Sequence, residues 1–283
     1  MEIVRTARDM QSAAERLRGA GKRIGLVPTM GYLHQGHTSL IRIARQHSDT
    51  VVTTIFVNPA QFGPKEDFER YPRDFPRDET LAREAGTDIL FCPEVKDMYA
   101  EGFRTYVTTE QVEDVLEGKF RPGHFRGVTT VVAKLFNIAK PHVAVFGQKD
   151  AQQAFIVQKM EHDLNFGIQI IVAPIVREAD GLAMSSRNVY LNPVERSNAT
   201  SLFKALHRAE QLVSSGERSV APLRKAVEST LQAGSPEQID YIAFVRPDTY
   251  AEIERIDPPA VLVALAVRFG RTRLIDNLLV RVL

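Results

Sequence analysis

Two histidines in a glycine-containing segment are the residues of this sequence best placed to do chemistry. His34 and His37 form a His-x-Gly-His pattern between an apolar, β-branched segment at 24–27 and a segment at 38–46 whose apolar residues recur at helical spacing. The pattern predicts a strand-to-helix junction, where unpaired backbone N–H groups and the positive end of the helix dipole attract anions. Glycines there let phosphate oxygens approach the backbone. We therefore predict that this segment holds a triphosphate.

Two other interpretations of His34 and His37 are open at this point. The first takes them as surface histidines in a tight turn, and the second takes them as ligands of a zinc ion. A zinc site needs three or four ligands, and the single cysteine, Cys92, has no second cysteine to join it, which weakens the zinc interpretation. The first interpretation depends on which other residues lie nearby.

Polar segments also follow two other strand-like runs. The apolar run 143–146 leads into the segment 147–150, which contains Lys149, and the apolar run 51–57 leads into the segment 58–62. Ligands of a doubly wound sheet bind at the carboxyl ends of its strands. We therefore expect the Lys149 ammonium at the same sheet edge as the two histidines, where it can bind phosphate; a solvated loop lysine is the alternative.

Two further segments carry cationic or hydroxyl groups. The segment 184–187, Met-Ser-Ser-Arg, offers two hydroxyls and a guanidinium that can donate to phosphate oxygens, although serines beside an arginine are also common in loops and helix caps. The segment 121–127 places Arg121, His124 and Arg126 just before a helix that is predicted to start near Val128. It is either a second anion site at that helix N-terminus or a basic connector with a glycine turn.

The order of the predicted elements indicates the fold class. Apolar, strand-like runs occur at 24–27, 51–57, 88–91, 143–146 and 169–173. The segments between these runs are mostly long enough for crossover helices, and two of them, 128–136 and 154–164, carry apolar stripes at helical spacing. This order predicts an α/β fold with a doubly wound parallel sheet.

A charged segment that ends in the turn signal Asp180-Gly181 marks a predicted domain boundary. We predict a first domain at 1–178 and a second at 179–283. The elements predicted in the second domain are helices at 193–214 and 220–232 and strands at 239–245 and 261–269. Their order predicts a smaller α+β domain.

The composition narrows the class of function. The chain has 283 residues, of which 44% are hydrophobic and 25% charged, and its formal net charge is +1. This charge argues against a general nucleic-acid-binding surface. The N-terminal residues lack the apolar core of a signal peptide, no apolar run is long enough for a membrane span, and one cysteine fits a reducing compartment. We therefore expect a cytoplasmic protein without nucleic-acid or membrane partners.

Five segments together resemble the pantothenate synthetase family in sequence, order and approximate spacing. They are 28–37 (PTMGYLHQGH), 56–62 (FVNPAQF), 121–127 (RPGHFRG), 146–150 (FGQKD) and 180–188 (DGLAMSSRN). The resemblance covers nearly the whole chain and ends with 273–277 (RLIDN). This family belongs to the nucleotidyltransferases with a His-x-Gly-His signature, so the resemblance implies a Rossmann-like first domain shared with class I aminoacyl-tRNA synthetases. The segment 184–187 is similar to their second signature, with arginine in place of lysine.

The resemblance implies ATP-dependent condensation of pantoate with β-alanine, with Mg²⁺, to give pantothenate, AMP and pyrophosphate through a pantoyl adenylate. It also implies a homodimer. The implied catalytic residues are His34, His37, Lys149, Ser185, Ser186 and Arg187. The implied ATP-binding residues are Met30, Gly31, Tyr32, Leu33, His34, Gln35, Gly36, His37, Gly147, Gln148, Lys149, Asp150, Val176, Met184, Ser185, Ser186 and Arg187. The implied substrate-binding residues are Asn58, Gln61 and Gln153, with pantoate on the two glutamines.

Several points stay open in the sequence. The protein ligands of Mg²⁺ are undetermined, with Asp78 and Asp150 as candidates. His37 is either a proton carrier in the amide-forming step or a stabiliser of phosphate charge. A hinge near 178–181 that closes the second domain over ATP is a hypothesis. The alternative functions are an adenylyltransferase acting on a phosphorylated coenzyme precursor and a non-enzymatic nucleotide sensor or RNA-binding module.

Overall fold

A computed structural model describes residues 1–64, 66–257 and 259–282. The chain divides into two compact units, Met1–Pro174 and Ile175–Leu283. The boundary predicted from the sequence, after residue 178, lies slightly further along the chain.

Unit 1 alternates strands and helices. Its strands are β1 (Glu2–Val4), β2 (Ile24–Val27), β3 (Thr50–Thr54), β4 (Ile89–Phe91), β5 (Val143–Gly147) and β6 (Gln169–Ala173). Its helices are α1 (Ala7–Gly19), α2 (Gln35–His47), α3 (Phe75–Ala85), α4 (Val95–Met98), α5 (Glu117–Phe120), α6 (His124–Ala139) and α7 (Ala151–Asp163). Short 3₁₀ turns occupy Pro59–Gln61 and Gln148–Asp150.

The six strands of unit 1 form one parallel sheet in the order β1-β4-β3-β2-β5-β6. The chain runs outward from β2 through β3 and β4, and later outward on the other side through β5 and β6. The strand order therefore reverses between β2 and β5, which is where a doubly wound sheet opens a crevice for ligands. The predicted α/β fold with a parallel sheet is confirmed.

Alternate residues of the central strands face two different apolar layers. Leu26 and Val52 belong to a buried cluster that includes residues of α1, α6 and α7. Val27 and Val51 belong to a second cluster, which includes residues of α2 and α3. Because side chains alternate across a strand, this division places helices on both faces of the sheet. It also explains why β2 and β3 are buried along their whole length.

In its described residues, unit 2 contains an antiparallel sheet and three α-helices. Its helices are α8 (Pro193–Asn198), α9 (Ser201–Ser214) and α10 (Val220–Gln232), and its strands are β7 (Gln238–Val245), β8 (Ala260–Phe269) and β9 (Thr272–Arg281), paired in the order β7-β8-β9. A core that includes Leu206, Leu223 and Val263 lies within this unit. The single helix predicted at 193–214 is two helices, because the first ends at Asn198 and the second begins at Ser201.

The predicted hinge segment 178–181 is the turn of a small hairpin inside unit 2. The Met184 N–H donates to the Val176 carbonyl at 3.0 Å, and the Glu178 N–H donates to the Leu182 carbonyl at 2.8 Å. Arg196 forms ion pairs with both Glu178 and Asp180, each at 2.7 Å. These bonds hold the turn to its own unit.

No helix in the described ranges is long and apolar enough to cross a membrane.

Candidate active site

The two histidines form the N-terminal cap of α2. His34 is the N-cap residue, and its Nδ1 accepts from the Gly36 N–H at 3.1 Å. In return, Nδ1 of His37 accepts from the His34 N–H at 3.3 Å. The two ring centroids lie 4.1 Å apart. This is a capping box formed by two imidazoles. The same two hydrogen bonds stabilise the start of α2 and hold the two rings in place.

These bonds determine the tautomer of each neutral ring. A neutral imidazole carries one N–H, and a nitrogen that accepts a hydrogen bond is the other nitrogen. Since Nδ1 accepts in both His34 and His37, the proton of each neutral ring lies on Nε2. Burial lowers the pKa of His37 well below its usual range, and the nearby His34 ring and Lys149 ammonium lower this pKa further. His37 is therefore a neutral Nε2–H donor at neutral pH.

The loop between β2 and α2 is held by a buried carboxylate. Asp78 in α3 is 1% exposed, and its two oxygens accept from the N–H groups of Tyr32 at 2.7 Å and Leu33 at 2.6 Å. Tyr32 has a φ of 50° and Gly31 a φ of 85°. A Cβ on Gly31 would lie 3.0 Å from an Asp78 oxygen and from Ile55, so this glycine is required by the turn and the carboxylate beneath it.

The expectation that this junction presents unpaired backbone N–H groups is wrong for most of the loop. The N–H of Gly31 donates to the Thr29 hydroxyl at 3.2 Å, and those of Tyr32 and Leu33 donate to Asp78. The N–H groups of His34 and Gly36 are used in the capping box. These five backbone donors are therefore engaged inside the protein, and the two imidazoles add their Nε2–H groups to the donors of this segment.

Lys149 follows β5 in the 3₁₀ turn Gln148–Asp150. Its ammonium lies 3.8 Å from an Asp150 oxygen. The positive charge of this ammonium contributes to the lowered pKa of His37. Since β5 pairs directly with β2, the Lys149 turn and the histidine cap follow neighbouring strands at the same sheet edge. The structure thus brings together the unit 1 residues that the sequence predicted to meet, which argues against two isolated surface histidines.

Asn58 and Gln61 form a hydrogen-bonded pair beside this edge. The Asn58 amide nitrogen donates to the Gln61 side-chain oxygen at 3.0 Å and to the Gly127 carbonyl at 3.1 Å. The Gln61 side-chain nitrogen donates to the Met30 sulfur at 3.2 Å. Asn58 is 1% exposed, so its amide is part of the frame of the site rather than its surface.

Gln153 lies half-buried in the first turn of α7, two residues beyond its start. Its neighbour Gln152 is buried and holds the segment before α5. The Gln152 oxygen accepts from the Glu117 N–H at 3.0 Å, and its nitrogen donates to the carbonyls of Val112 and Val115, each at 2.8 Å. Adjacent glutamines thus face different surroundings, and the half-buried one is the candidate for binding substrate.

The segment 121–127 anchors the Gln61 loop. His124 Nε2 lies 3.0 Å from an Arg121 donor and its Nδ1 lies 2.8 Å from the Gln61 carbonyl, so Nδ1 carries the proton. Burial and the Arg121 charge lower the pKa of His124 to about 3. Arg121 also forms a bidentate pair with Glu66, at 2.9 and 2.6 Å. These internal bonds favour the interpretation of this segment as a connector over a second anion site.

Gly127 makes the closest contact between this helix and the loop. A Cβ on Gly127 would collide with the backbone of Ala60 and Gln61. The absence of a side chain therefore lets α6 pack directly against the Pro59–Gln61 turn. Sequence reasoning found this segment but missed its role, because its effect depends on a chain segment more than sixty residues away.

In unit 2, the predicted phosphate-binding residues form a capped turn. The Ser185 hydroxyl accepts from the Arg187 N–H at 3.2 Å at the start of the 3₁₀ turn Ser186–Tyr190. The Asn188 amide donates to Glu178 at 3.0 Å and to the Ala183 carbonyl at 3.2 Å. Met184 and Val176 are joined through their backbones in the hairpin that precedes this turn.

The described part of the chain contains no group of three or more His, Cys, Asp or Glu side chains placed to hold a metal ion. The Asp78 carboxylate is engaged by the two backbone N–H groups of the β2–α2 loop. Burial raises its pKa, and those two bonds oppose the increase. Asp78 is therefore a loop-positioning residue, and of the two predicted magnesium candidates Asp150 is the one that remains.

Comparison with known proteins decides the family. The family model for pantoate-beta-alanine ligase matches residues 2–279. The chain belongs to the pantoate–β-alanine ligase family. ATP-dependent formation of pantothenate by an AMP-forming carbon–nitrogen ligase is the function of this family. The family membership that the sequence resemblance implied is confirmed.

Relatives in this ligase family match over the full length. A pantothenate synthetase of Acetivibrio thermocellus is 54% identical over 282 residues, covering 100% of both chains. The crystal structure of pantothenate synthetase from Thermus thermophilus matches with a TM-score of 0.93 and 46% identity, covering 98% of this chain and 99% of that one. A pantoate-beta-alanine ligase from Francisella tularensis, complexed with beta-gamma ATP and beta-alanine, has a TM-score of 0.80 and 32% identity, with 99% and 97% covered.

Proposed function

We propose that this chain condenses pantoate with β-alanine and that the histidine cap and the Lys149 turn bind the ATP phosphates during the first step. The observation that carries this assignment is the placement of two Nε2–H donors and one ammonium after neighbouring parallel strands. Family membership supplies the substrates, and the geometry supports the roles that we assign to His34, His37 and Lys149.

In the first step, a pantoate carboxylate oxygen attacks the α-phosphorus of ATP, and pyrophosphate leaves. The nucleophile is already ionised, so this step needs no general base. The difficulty is the negative charge that gathers on the phosphates in the transition state. We assign His34, His37 and Lys149 as donors to those oxygens. The family resemblance separately implies that Ser185, Ser186 and Arg187 also donate to phosphate.

His37 is better suited to stabilising charge than to carrying a proton. Its depressed pKa keeps the ring neutral, and its basic nitrogen already accepts from the His34 N–H. A neutral N–H donor can stabilise phosphate charge without changing its protonation state. The remaining ATP contacts proposed from the resemblance are the loops 30–37 and 147–150 together with Val176 and Met184.

In the second step, the β-alanine amine attacks the acyl carbon of the pantoyl adenylate, and AMP leaves. The amine must lose a proton as the amide forms. We propose that Gln61 and Gln153 bind pantoate, with Asn58 supporting Gln61 through its amide.

We further propose that Mg²⁺ arrives with ATP. Magnesium at such sites is held largely by substrate phosphates and water, with one or two protein carboxylates, which fits a site with Asp150 as its acidic neighbour. We also propose a homodimer, which the resemblance implies, and a cytoplasmic location, which the sequence composition favours. Sedimentation equilibrium on the purified protein measures its oligomeric state.

The decisive experiment is AMP release with each substrate omitted in turn. We expect stoichiometric AMP and pantothenate when ATP, pantoate, β-alanine and Mg²⁺ are all present, and pantoate-dependent exchange of pyrophosphate into ATP without β-alanine. Lys149→Ala should lower the adenylation rate by roughly 10²–10³. Lys159→Ala, an exposed lysine on α7 paired with Asp163, is the matched control and should behave as wild type. Absence of AMP at every Mg²⁺ concentration would overturn the proposal.

Pyrophosphate exchange also separates this function from that of an adenylyltransferase. An enzyme that adenylylates a phosphorylated coenzyme precursor would exchange pyrophosphate into ATP in the presence of that precursor. It would not do so in the presence of pantoate.

A further inference from the structure

Tyr99 lies outside the segments so far assigned to ATP or pantoate, yet its hydroxyl is joined to them. It follows α4, and its N–H donates to the Val95 carbonyl at 2.7 Å. Its hydroxyl donates to the Asn58 side-chain oxygen at 2.8 Å. Its ring packs between Phe56 and Phe103, with centroid distances of 6.3 and 5.0 Å. Burial raises the pKa of the Tyr99 hydroxyl, so it remains a donor at any physiological pH.

The contacts of Asn58 leave its amide one orientation. Its oxygen receives the Ala60 N–H at 3.2 Å as well as the Tyr99 hydroxyl. Its nitrogen donates to the Gly127 carbonyl and to the Gln61 oxygen. A rotated amide would face the Gly127 carbonyl with an oxygen and the Ala60 N–H with a nitrogen, losing both bonds.

The orientation of Asn58 in turn determines which end of Gln61 is presented. Because the Gln61 oxygen accepts from Asn58, its nitrogen points the other way and reaches the thioether of Met30, at 3.2 Å. A thioether is a weak acceptor. A substrate oxygen would be a better partner for the Gln61 N–H than the sulfur that it replaces.

We propose that Tyr99 is a positioning residue for pantoate: together with the Ala60 N–H and the Gly127 carbonyl, its hydroxyl holds the Asn58 amide in place, and this amide turns the N–H₂ face of Gln61 toward a hydroxyl or carboxylate oxygen of the substrate. This inference rests on the proposed role of Gln61 in binding pantoate. It adds a chain of three hydrogen bonds, from Tyr99 to Asn58, from Asn58 to Gln61 and from Gln61 to Met30.

The test compares Tyr99→Phe with Tyr106→Phe. Both changes remove only a phenolic oxygen, and Tyr106 is 41% exposed, with Arg126 stacked 3.6 Å above its ring. We expect Tyr99→Phe to raise the KM for pantoate about 3- to 10-fold, as for one neutral hydrogen bond, with kcat and the KM for ATP changed less than about 2-fold. Tyr106→Phe should leave all three constants at wild-type values.

A double substitution distinguishes positioning from general loosening. If Tyr99 acts through Gln61, adding Tyr99→Phe to Gln61→Ala should raise the pantoate KM no further. Equal losses for pantoate and ATP, or additive effects in the double variant, would overturn the inference. Melting temperatures of the variants verify that each is folded.

The Gln61→Ala variant tests the role of Gln61 separately from the role of Tyr99. A normal pantoate KM in Gln61→Ala refutes the proposed role of Gln61, and the inference falls with it. A raised KM in Gln61→Ala together with wild-type behaviour of Tyr99→Phe refutes the inference alone.

Discussion

At the residue scale, the two nitrogens of His37 have separate tasks. Nδ1 accepts the backbone N–H that starts α2, and Nε2 carries the proton proposed to face phosphate. An asparagine at position 37 would place its side-chain oxygen near the position of Nδ1 but no group at the position of Nε2. A glutamine there would place its side-chain N–H₂ group near the position of Nε2. We expect His37→Asn to lower the adenylation rate by roughly 10²–10³ and His37→Gln to recover about 10-fold of that loss.

We expect the melting temperatures of these two variants to follow the opposite order, with His37→Asn more stable than His37→Gln. Asparagine at position 37 retains a group able to complete the cap, and loss of a cap costs ~1 kcal/mol. Single-turnover adenylation and melting temperatures, measured on both variants, test the assignment. Equal adenylation rates for the two variants would show that Nε2 is not the atom that matters.

Asp78 offers a second prediction at this scale. Asp78→Asn replaces one of two acceptor oxygens with a donor, so either Tyr32 or Leu33 loses the partner of its N–H. We expect a loss of ~1–3 kcal/mol in the free energy of unfolding and a several-fold increase in the KM for ATP. Glu79→Gln is the control, since Glu79 pairs with Arg83 on the outside of α3. Wild-type ATP kinetics in Asp78→Asn would contradict the positioning role.

At the scale of elements, the junction between α6 and the Pro59–Gln61 turn should weaken in acid. The folded protein keeps His124 neutral down to a pKa of about 3, whereas an unfolded chain protonates it near its ordinary value of 6.5. The unfolded state therefore binds the extra proton between these values. Stability should fall as the pH decreases from about 6.5 toward 3, with no contribution from this group above 6.5.

Chemical denaturation across that pH range measures the effect. His124→Asn removes the titrating ring and should flatten the acid limb of the stability profile. His162→Asn, an exposed position near the end of α7, is the control and should reproduce the wild-type profile. A profile of His124→Asn as steep as that of the wild type would assign the acid limb to other groups.

The elements also show what a single sequence can reveal. The bounds of β2, β6 and α10 were predicted as observed, because β2 and β6 are short, mostly apolar runs and the apolar residues of α10 recur at helical spacing. Strand β1 was missed because only two of its three residues are apolar, whereas the equally short β4 is apolar throughout. Strand β9 was missed because charged residues interrupt its pattern. Glycines and histidines identified the candidate site. The supporting roles of Asp78, which the sequence offered only as a magnesium candidate, and of Tyr99 are invisible in sequence, since the partner of each lies far along the chain.

At the scale of the whole molecule, each unit contains its own apolar core. Leu223 is fully buried in unit 2 and Leu90 is fully buried in unit 1. We expect Leu223→Ala to lower the protection of the β7 amides from hydrogen exchange by ~2–5 kcal/mol while the β3 amides keep wild-type protection. Leu90→Ala should give the converse pattern. Equal losses in both strands would mean that the two cores unfold as one.

The pairing of β2 with β5 has a consequence for synthesis of the chain. The histidine segment leaves the ribosome early, but the strand that completes its surroundings is made only after β3, β4 and α6. Until then one edge of β2 has no neighbouring strand, and an apolar open edge invites association with other chains. Stalled nascent chains that end before Val143 should therefore be sensitive to protease and bind chaperones, and protection should begin once β5 has emerged.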